Sequence, residues 1–131
     1  MRPHHVGYLV KSVQQSRESF EFLGYVPVGD VVYDHIRDIN ILFMENDGYM
    51  VELIEPMSPN SVVYNLYKKY KNTPYHICYI TDNMESDMER IQENGGIKID
   101  EPCQAVAFNG RKVVFFIFPT IGIIELVESE C

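Results

Sequence analysis

The chain has 131 residues, the length of one ordinary domain, and its 46% hydrophobic and 23% charged residues indicate a globular rather than a disordered protein. Its net charge of −8 argues against broad nucleic-acid binding, which needs a basic face, but leaves room for a phosphorylated small molecule held by a local basic cluster. The apolar runs are too short for a membrane span or a signal peptide, and the three scattered cysteines suit reduced thiols, so we expect a cytoplasmic protein without a membrane partner.

The first half of the chain is predicted to fold as a strand, a helix and three further strands. Ser12 is a suitable N-cap for the helix and Gly24 a suitable stop. Pro27 and Gly29 make the second strand irregular or an edge strand, and Asn46-Asp47-Gly48 is a hairpin signal. The predicted elements are a strand at 6–10, a helix at 12–24, and strands at 25–33, 39–45 and 49–55.

A short connector follows Pro56 and Pro59. Val62, Leu66 and Tyr70 stand at helical spacing, which predicts a helix over about 61–71. The same stretch carries three lysines, which we interpret as a solvated helix face: Lys68, Lys69 and Lys71.

The second half is predicted to repeat the order of the first. A strand at 75–81 is followed by a helix that begins at a cap on Asp82 or Asn83 and ends at Asn94. Strands at 97–99, 111–118 and 121–128 complete the half, with Asn109-Gly110 as the sharpest turn signal in the chain.

The two halves align with each other as a duplication. His5 and His76 are 76 − 5 = 71 residues apart, and Glu52 and Glu125 are 125 − 52 = 73 residues apart, so the second half has gained only two residues. We therefore predict one α+β domain over 1–131, made of two βαβββ repeats at about 4–56 and 75–128.

Each half begins with a strand histidine and ends with a strand glutamate. Because alternate strand residues face one side, Glu52 and Glu125 are predicted to point inward, whereas Glu55 and Glu128 point outward to solvent or to a lysine. A lone buried carboxylate costs several kcal/mol, roughly, unless it is paired, protonated or bound to a cation. Two inward carboxylates and two strand histidines, His5 and His76, would satisfy one another through a divalent transition metal such as Zn, Ni, Co, Fe or Mn.

Four short motifs in this order carry a resemblance that covers essentially the whole chain. They are His4-His5-Val6-Gly7, Val51-Glu52-Leu53-Ile54-Glu55-Pro56, Tyr75-His76-Ile77 and Ile124-Glu125-Leu126-Val127. The chain resembles the vicinal oxygen chelate superfamily, and within it most resembles the branch of methylmalonyl-CoA epimerase and glyoxalase I. The resemblance implies a curved mixed sheet around a metal-binding cavity, with the helices outside. It also implies a homodimer.

The resemblance implies metal ligands and a reaction. His5, Glu52, His76 and Glu125 match the four metal ligands of the family, and Glu125 is the first choice for the catalytic base, with Glu52 second. The implied activity is that of a metal-dependent lyase or isomerase. It moves a proton on the carbon beside the carbonyl of a small carbonyl or thioester substrate, through a metal-stabilised enolate. His4 and His35 are interpreted as incidental.

Two other functions stay open. One is a non-catalytic binding protein, like the antibiotic-sequestering members of the superfamily, and the other is an iron-dependent dioxygenase with two histidines and one carboxylate. The chain departs from the epimerase pattern at Tyr75-His76, where two histidines are common, and at Phe118-Pro119-Thr120-Ile121-Gly122, where a His-Pro-Lys segment is common. Strand parity predicts that Asn40 points inward.

Overall fold

The computed structural model describes residues 1–130, which form nine β-strands and three α-helices, so the α+β class is confirmed. These residues divide into two compact units. We call residues 5–75 the N-terminal unit, and residues 76–130 with residues 1–4 the C-terminal unit. No helix within residues 1–130 has the length and apolarity that crossing a membrane requires.

The N-terminal unit contains a four-stranded mixed sheet with one helix packed on it. Strand β4 pairs with β1 in parallel and with β3 in antiparallel fashion, and β2 pairs with β3, which gives the order β2-β3-β4-β1. Its elements are β1 (Arg2–Leu9), α1 (Val13–Phe22), β2 (Val26–Asp34), β3 (Ile39–Asn46), β4 (Tyr49–Pro56) and α2 (Tyr64–Tyr70).

Local sequence signals explain most of these bounds. The Ser12 hydroxyl accepts a hydrogen bond from the Gln15 amide at 3.2 Å, so the predicted N-cap of α1 is confirmed. Asp47 and Gly48 have φ angles of 51° and 83°, the left-handed values that a two-residue hairpin turn requires. The register of β2 shifts between Val28 and Val32, so the predicted irregular strand is confirmed. The core under α1 consists of Val10, Val13, Leu42, Met44, Val51 and Leu53.

The C-terminal unit also has mixed strand pairing, and it has its own helix. Strand β9 pairs with β5 in parallel and with β8 in antiparallel fashion, while β6 and β7 both pair with β8. The N-cap of the helix is Asn83 rather than Asp82, and its side chain accepts a hydrogen bond from the Ser86 amide at 3.0 Å. The elements are β5 (Thr73–Thr81), α3 (Met84–Glu93), β6 (Ile97–Lys98), β7 (Cys103–Gln104), β8 (Lys112–Phe118) and β9 (Gly122–Glu128).

The strand predicted at 97–99 is thus continued by a second short strand, β7, which the sequence patterns missed. Between the two strands, the Asp100 side chain accepts a hydrogen bond from the Phe115 amide at 3.2 Å. This carboxylate thus satisfies an amide of β8 that a backbone carbonyl would otherwise satisfy in a continuous ladder. A 3₁₀ turn at Val106–Phe108 was missed as well. Two-residue strands and single turns are too short to give a hydrophobic period, so no pattern marks them.

The ladders of the two units have the same register. Phe43 lies opposite Glu52 and Phe115 opposite Glu125, and Val32 lies opposite Ile41 as Cys103 does opposite Val113. Equivalent residues of the two units are therefore 103 − 32 = 71 positions apart on β2 and β7. The difference is 115 − 43 = 72 on β3 and β8, and 125 − 52 = 73 on β4 and β9. Each of the two extra residues lies in a turn, which explains why the sheets tolerate them.

Helix α2 is shorter than predicted, and none of its side chains is buried. Val62, which was predicted to be part of an apolar face, precedes the helix and is 64% exposed. The segment is held at its ends, where the Val62 amide donates to the Arg37 carbonyl at 3.1 Å and the Lys11 amide donates to the Asn72 side chain at 2.8 Å.

A turn in the same unit is held by a carboxylate. The hydroxyls of Ser58 and Tyr33 both donate hydrogen bonds to Asp38. These bonds hold the pKa of Asp38 below its ordinary value, and the bond from Ser58 has the larger effect. The Met57 amide also donates to the Asp38 carbonyl at 3.1 Å. The chain that leaves β4 toward α2 is therefore attached to the turn between β2 and β3.

Candidate metal centre

The N-terminal unit buries a histidine beside a glutamate. Gly7 pairs with Glu52 across the parallel β1–β4 ladder, and because alternate residues share a face, His5 lies on the same side as Glu52. The His5 Nε2 atom is 3.2 Å from the Glu52 Oε1 atom, and the two side chains are 0% and 6% exposed. The predicted inward position of Glu52 thus corresponds to a buried carboxylate in contact with imidazole.

The C-terminal unit contains the same pair. His76 and Glu125 lie on the parallel strands β5 and β9, where Cys78 occupies the position beside Glu125 that Gly7 has beside Glu52. The His76 Nε2 atom is 3.3 Å from the Glu125 Oε1 atom, and these side chains are also 0% and 6% exposed. The duplication therefore extends to the atoms of the two pairs.

A phenylalanine completes each pair. The Phe43 ring packs against His5 with the ring planes at 77° and the centroids 5.2 Å apart, and Phe115 packs against His76 in the same way at 86° and 5.4 Å. Both phenylalanines are half-buried and lie directly opposite the glutamate of their pair. Sequence reasoning missed these two residues, although the ladder register of the predicted hairpins could have identified them.

The donor atoms of each pair fit a transition metal. Imidazole nitrogen and carboxylate oxygen bind such ions at about 2.0–2.2 Å, which puts two neighbouring donors on one ion about 3.0 Å apart at a right angle and about 3.4 Å apart at a tetrahedral angle. The observed separations of 3.2 and 3.3 Å lie within that interval. Each buried pair therefore has the chemistry and the spacing of two ligands of one ion.

Two glutamates that were predicted to face solvent or a lysine side chain instead bind backbone amides. The Glu55 carboxylate accepts a hydrogen bond from the Val13 amide at 2.7 Å, at the first turn of α1. The Glu128 carboxylate accepts one from the Lys112 amide at 2.8 Å. Both side chains are half-buried, and their role is to satisfy main-chain donors.

The predicted inward position of Asn40 is wrong. Asn40 lies directly opposite Glu55 in the β3–β4 ladder, so it shares the face that carries α1 and not the face of Glu52. His4 and His35 stand outside both pairs. The His4 ring packs edge-on against Phe108 with the centroids 5.6 Å apart, and His35 is exposed in the turn after β2.

A comparison with protein families decides the relationship of this chain. The model of the Glyoxalase/Bleomycin resistance protein/Dioxygenase superfamily matches residues 4–115. The chain belongs to this superfamily. The resemblance inferred from the four motifs is thereby confirmed.

The individual proteins that are similar to this chain have low sequence identity to it. The uncharacterized protein YqjC of Bacillus subtilis (strain 168) is 27% identical over 98% of this chain and 93% of that protein. The crystal structure of hypothetical protein BH1468 from Bacillus halodurans C-125 has a TM-score of 0.87 at 22% identity and covers 99% of this chain and 95% of that one.

Methylmalonyl-CoA epimerases are among the solved structures with this fold. A variant of the Streptomyces coelicolor enzyme in complex with 2-nitronate-propionyl-CoA has a TM-score of 0.83 at 21% identity and covers 100% of this chain and 96% of that one. At this identity the similarity shows the fold.

Proposed function

We propose that this superfamily member is a metal-dependent enzyme that moves a proton on the carbon next to a carbonyl group. In this proposal His5, Glu52, His76 and Glu125 bind one divalent transition metal ion. The candidate metals are Zn, Ni, Co, Fe and Mn. The observation that carries the proposal is the repeated buried His–Glu pair, with its donor atoms at ligand spacing in both units. A structural core has no need of two buried carboxylates beside two buried imidazoles, because burying them is costly.

The ion would supply positive charge where negative charge develops on the substrate carbonyl oxygen. The remaining chemistry belongs to side chains of the protein. Glu125 is the proposed base that removes the proton from carbon and returns it, and Glu52 is the second candidate because it has the same surroundings. A carboxylate has two oxygens and several lone pairs, so it can contact a cation and accept a proton.

The substrate class proposed is a small carbonyl compound, with a thioester as the first choice. The support is the ligand of the Streptomyces coelicolor epimerase, which is a coenzyme A compound, together with the match in fold over the whole chain. A thiol adduct of an aldehyde is the second choice, since glyoxalases share the superfamily.

Solvent deuterium exchange tests this function directly. Protein supplied with Zn, Ni, Co, Fe or Mn is incubated in deuterium oxide with methylmalonyl-CoA or with the methylglyoxal–glutathione adduct, and incorporation is followed by mass spectrometry. We expect incorporation into one of them, and a decrease of about 10²-fold or more in Glu125→Gln, because a general base typically contributes 10²–10⁴-fold. Glu128→Gln, which changes a carboxylate on the same strand, is the matched control.

Three results would count against the proposal. Absence of exchange into both compounds with metal bound would exclude both named substrates. Equal exchange in Glu125→Gln and wild type would remove Glu125 from the base role. Oxygen uptake with a catechol in place of exchange would favour the dioxygenase alternative.

A further inference from the structure

Positive charge is concentrated in one stretch of an otherwise acidic chain. Residues 56–81 contain no Asp or Glu, yet they hold Lys68, Lys69 and Lys71. The other residues of the chain carry 8 Lys and Arg against 19 Asp and Glu. This stretch is therefore positively charged, although the whole chain has a net charge of −8.

The lysines lie on and just after α2, interleaved with tyrosines. The Lys68 ammonium is 5.6 Å from the ring centroid of Tyr64, that of Lys71 is 5.7 Å from Tyr67, and that of Lys69 is 5.1 Å from Tyr70. All three lysines are exposed, and within residues 1–130 none of them forms an ion pair with a carboxylate. We call α2 together with Lys71 the Lys–Tyr helix.

The protein itself gives this helix little stabilisation. It has seven residues, buries no side chain and has no side-chain hydrogen bond at its N-cap. Helices of that length are not stable alone in water, and a cation–π contact at an exposed site adds little stabilisation. Lys71 also has a φ angle of +60°, a value that favours glycine, so a charged residue occupies a position where it is strained. The Lys–Tyr helix is therefore an exposed segment with little intrinsic stabilisation.

The helix lies at one end of the N-terminal sheet. The parallel strands β1 and β4 run toward this end, where Lys11, just after β1, bonds to Asn72, just after the Lys–Tyr helix. Glu52 precedes the last residue of β4, Pro56, by four positions, which corresponds to about 13 Å along a strand. An extended pantetheine arm is therefore long enough to reach from Glu52 to this end of the sheet.

We infer that the Lys–Tyr helix binds the phosphate-bearing nucleotide end of a thioester carrier, as in a coenzyme A substrate. Lys68, Lys69 and Lys71 supply the cations for the phosphates, and the tyrosines supply aromatic surface for the base. This inference rests on the proposed function, because it assigns the distal part of the substrate whose acyl group reacts at the metal centre.

The test uses adenosine 3′,5′-bisphosphate, the nucleotide fragment of such a carrier, in calorimetric titrations. The double variant Lys68→Gln/Lys71→Gln is compared with Lys98→Gln/Lys112→Gln, which removes the same charge from the C-terminal unit. We expect at least about a tenfold weaker affinity in the first and less than about a twofold change in the second, since both doubles remove two positive charges and only the first removes them from the Lys–Tyr helix. No binding by wild type, or an equal loss in both doubles, would overturn the inference.

A second comparison tests the aromatic contribution. Tyr67→Leu is titrated with the nucleotide and with inorganic pyrophosphate. We expect weaker binding of the nucleotide by several-fold, because stacking on an aromatic side chain contributes about 1–3 kcal/mol per base, and no change for pyrophosphate. Equal affinities of wild type and Tyr67→Leu for the nucleotide would exclude base stacking on this helix.

The inference and the proposed function can fail separately. Nucleotide binding by Glu125→Gln at wild-type affinity, with exchange absent from every protein tested, would leave the Lys–Tyr helix as a nucleotide site and reject the reaction. Exchange into methylmalonyl-CoA with the same KM in Lys68→Gln/Lys71→Gln as in wild type would support the reaction and reject the helix as its nucleotide site.

Discussion

Each of the two buried His–Glu pairs is flanked by a phenylalanine on the neighbouring strand. Phe43 and Phe115 pack nearly perpendicular to the imidazole rings of His5 and His76, and the same residue type recurs at the same ladder position in both units. Edge-on aromatic pairs are worth about 0.5–1.5 kcal/mol beyond the area they bury. We therefore expect the phenylalanines to be positioning residues that fix the ring plane of His5 and His76.

Replacing either phenylalanine by leucine should weaken metal binding without abolishing it. Leucine keeps the apolar volume but lacks the aromatic ring that packs against the histidine. We therefore expect the affinity for Co²⁺ to fall by up to about tenfold in Phe43→Leu and in Phe115→Leu. Titration followed by the visible absorption of Co²⁺ measures the affinity and reports any change in ligand geometry. Phe118→Leu, a partly buried residue of the core under α3, is the control. Unchanged affinity and spectrum in both variants would remove Phe43 and Phe115 from the centre.

The residues that the sequence did and did not predict differ in a physical way. His5, Glu52, His76 and Glu125 could be selected because a charged group at matching positions of a repeat is conspicuous among apolar strand residues. Phe43 and Phe115 do not stand out in this way, because another apolar residue in an apolar strand gives no signal by itself. Only alignment of the two strands of each predicted hairpin identifies them. That both pairs bind one ion stays a prediction.

At the scale of elements, the starts of α1 and α3 were predicted well because capping is local chemistry, whereas α2, which has no side-chain cap, starts later than predicted. Ser12 and Asn83 both accept the expected amide hydrogen bonds. Strand faces were predicted less well. The position of Asn40 was wrong because the face of a strand residue is set by its register with the partner strand, which the ends of the strand do not reveal.

Glu55 connects the last strand of the N-terminal unit to the start of α1, and we expect its loss to destabilise the protein. Its carboxylate accepts the Val13 amide at 2.7 Å, where a negative charge also interacts favourably with the helix dipole. Glu55→Ala should lower the free energy of unfolding by about 1–2 kcal/mol in urea denaturation, and Glu55→Gln, which keeps an acceptor, by less. Glu18→Ala, an exposed position on α1, is the control for lost charge. Equal unfolding midpoints for Glu55→Ala and Glu18→Ala would show that this hydrogen bond does not stabilise α1.

At the scale of the whole molecule, the duplication determines how the chain can bind metal. Each unit supplies one nitrogen and one oxygen donor, and two protein ligands alone are fewer than the three or four that transition-metal sites in proteins ordinarily use. We therefore expect that neither pair binds an ion tightly by itself. The homodimer expected from the resemblance stays a prediction, and it does not alter this ligand count.

Metal content of single-pair variants distinguishes one shared ion from two separate ions. If both pairs bind the same ion, wild type should contain about one transition metal per chain. His5→Ala and His76→Ala should each lose most of it, because either change removes one of the two nitrogen donors of the shared ion. His4→Ala and His35→Ala, which lie outside the pairs, should keep the wild-type content. The protein is loaded with Zn, Ni or Co and dialysed to remove unbound metal. Elemental analysis then gives the number of metal ions per chain. Two ions in wild type, with His5→Ala and His76→Ala each losing one, would show that the units bind metal independently, and the proposed four-ligand centre would then be wrong.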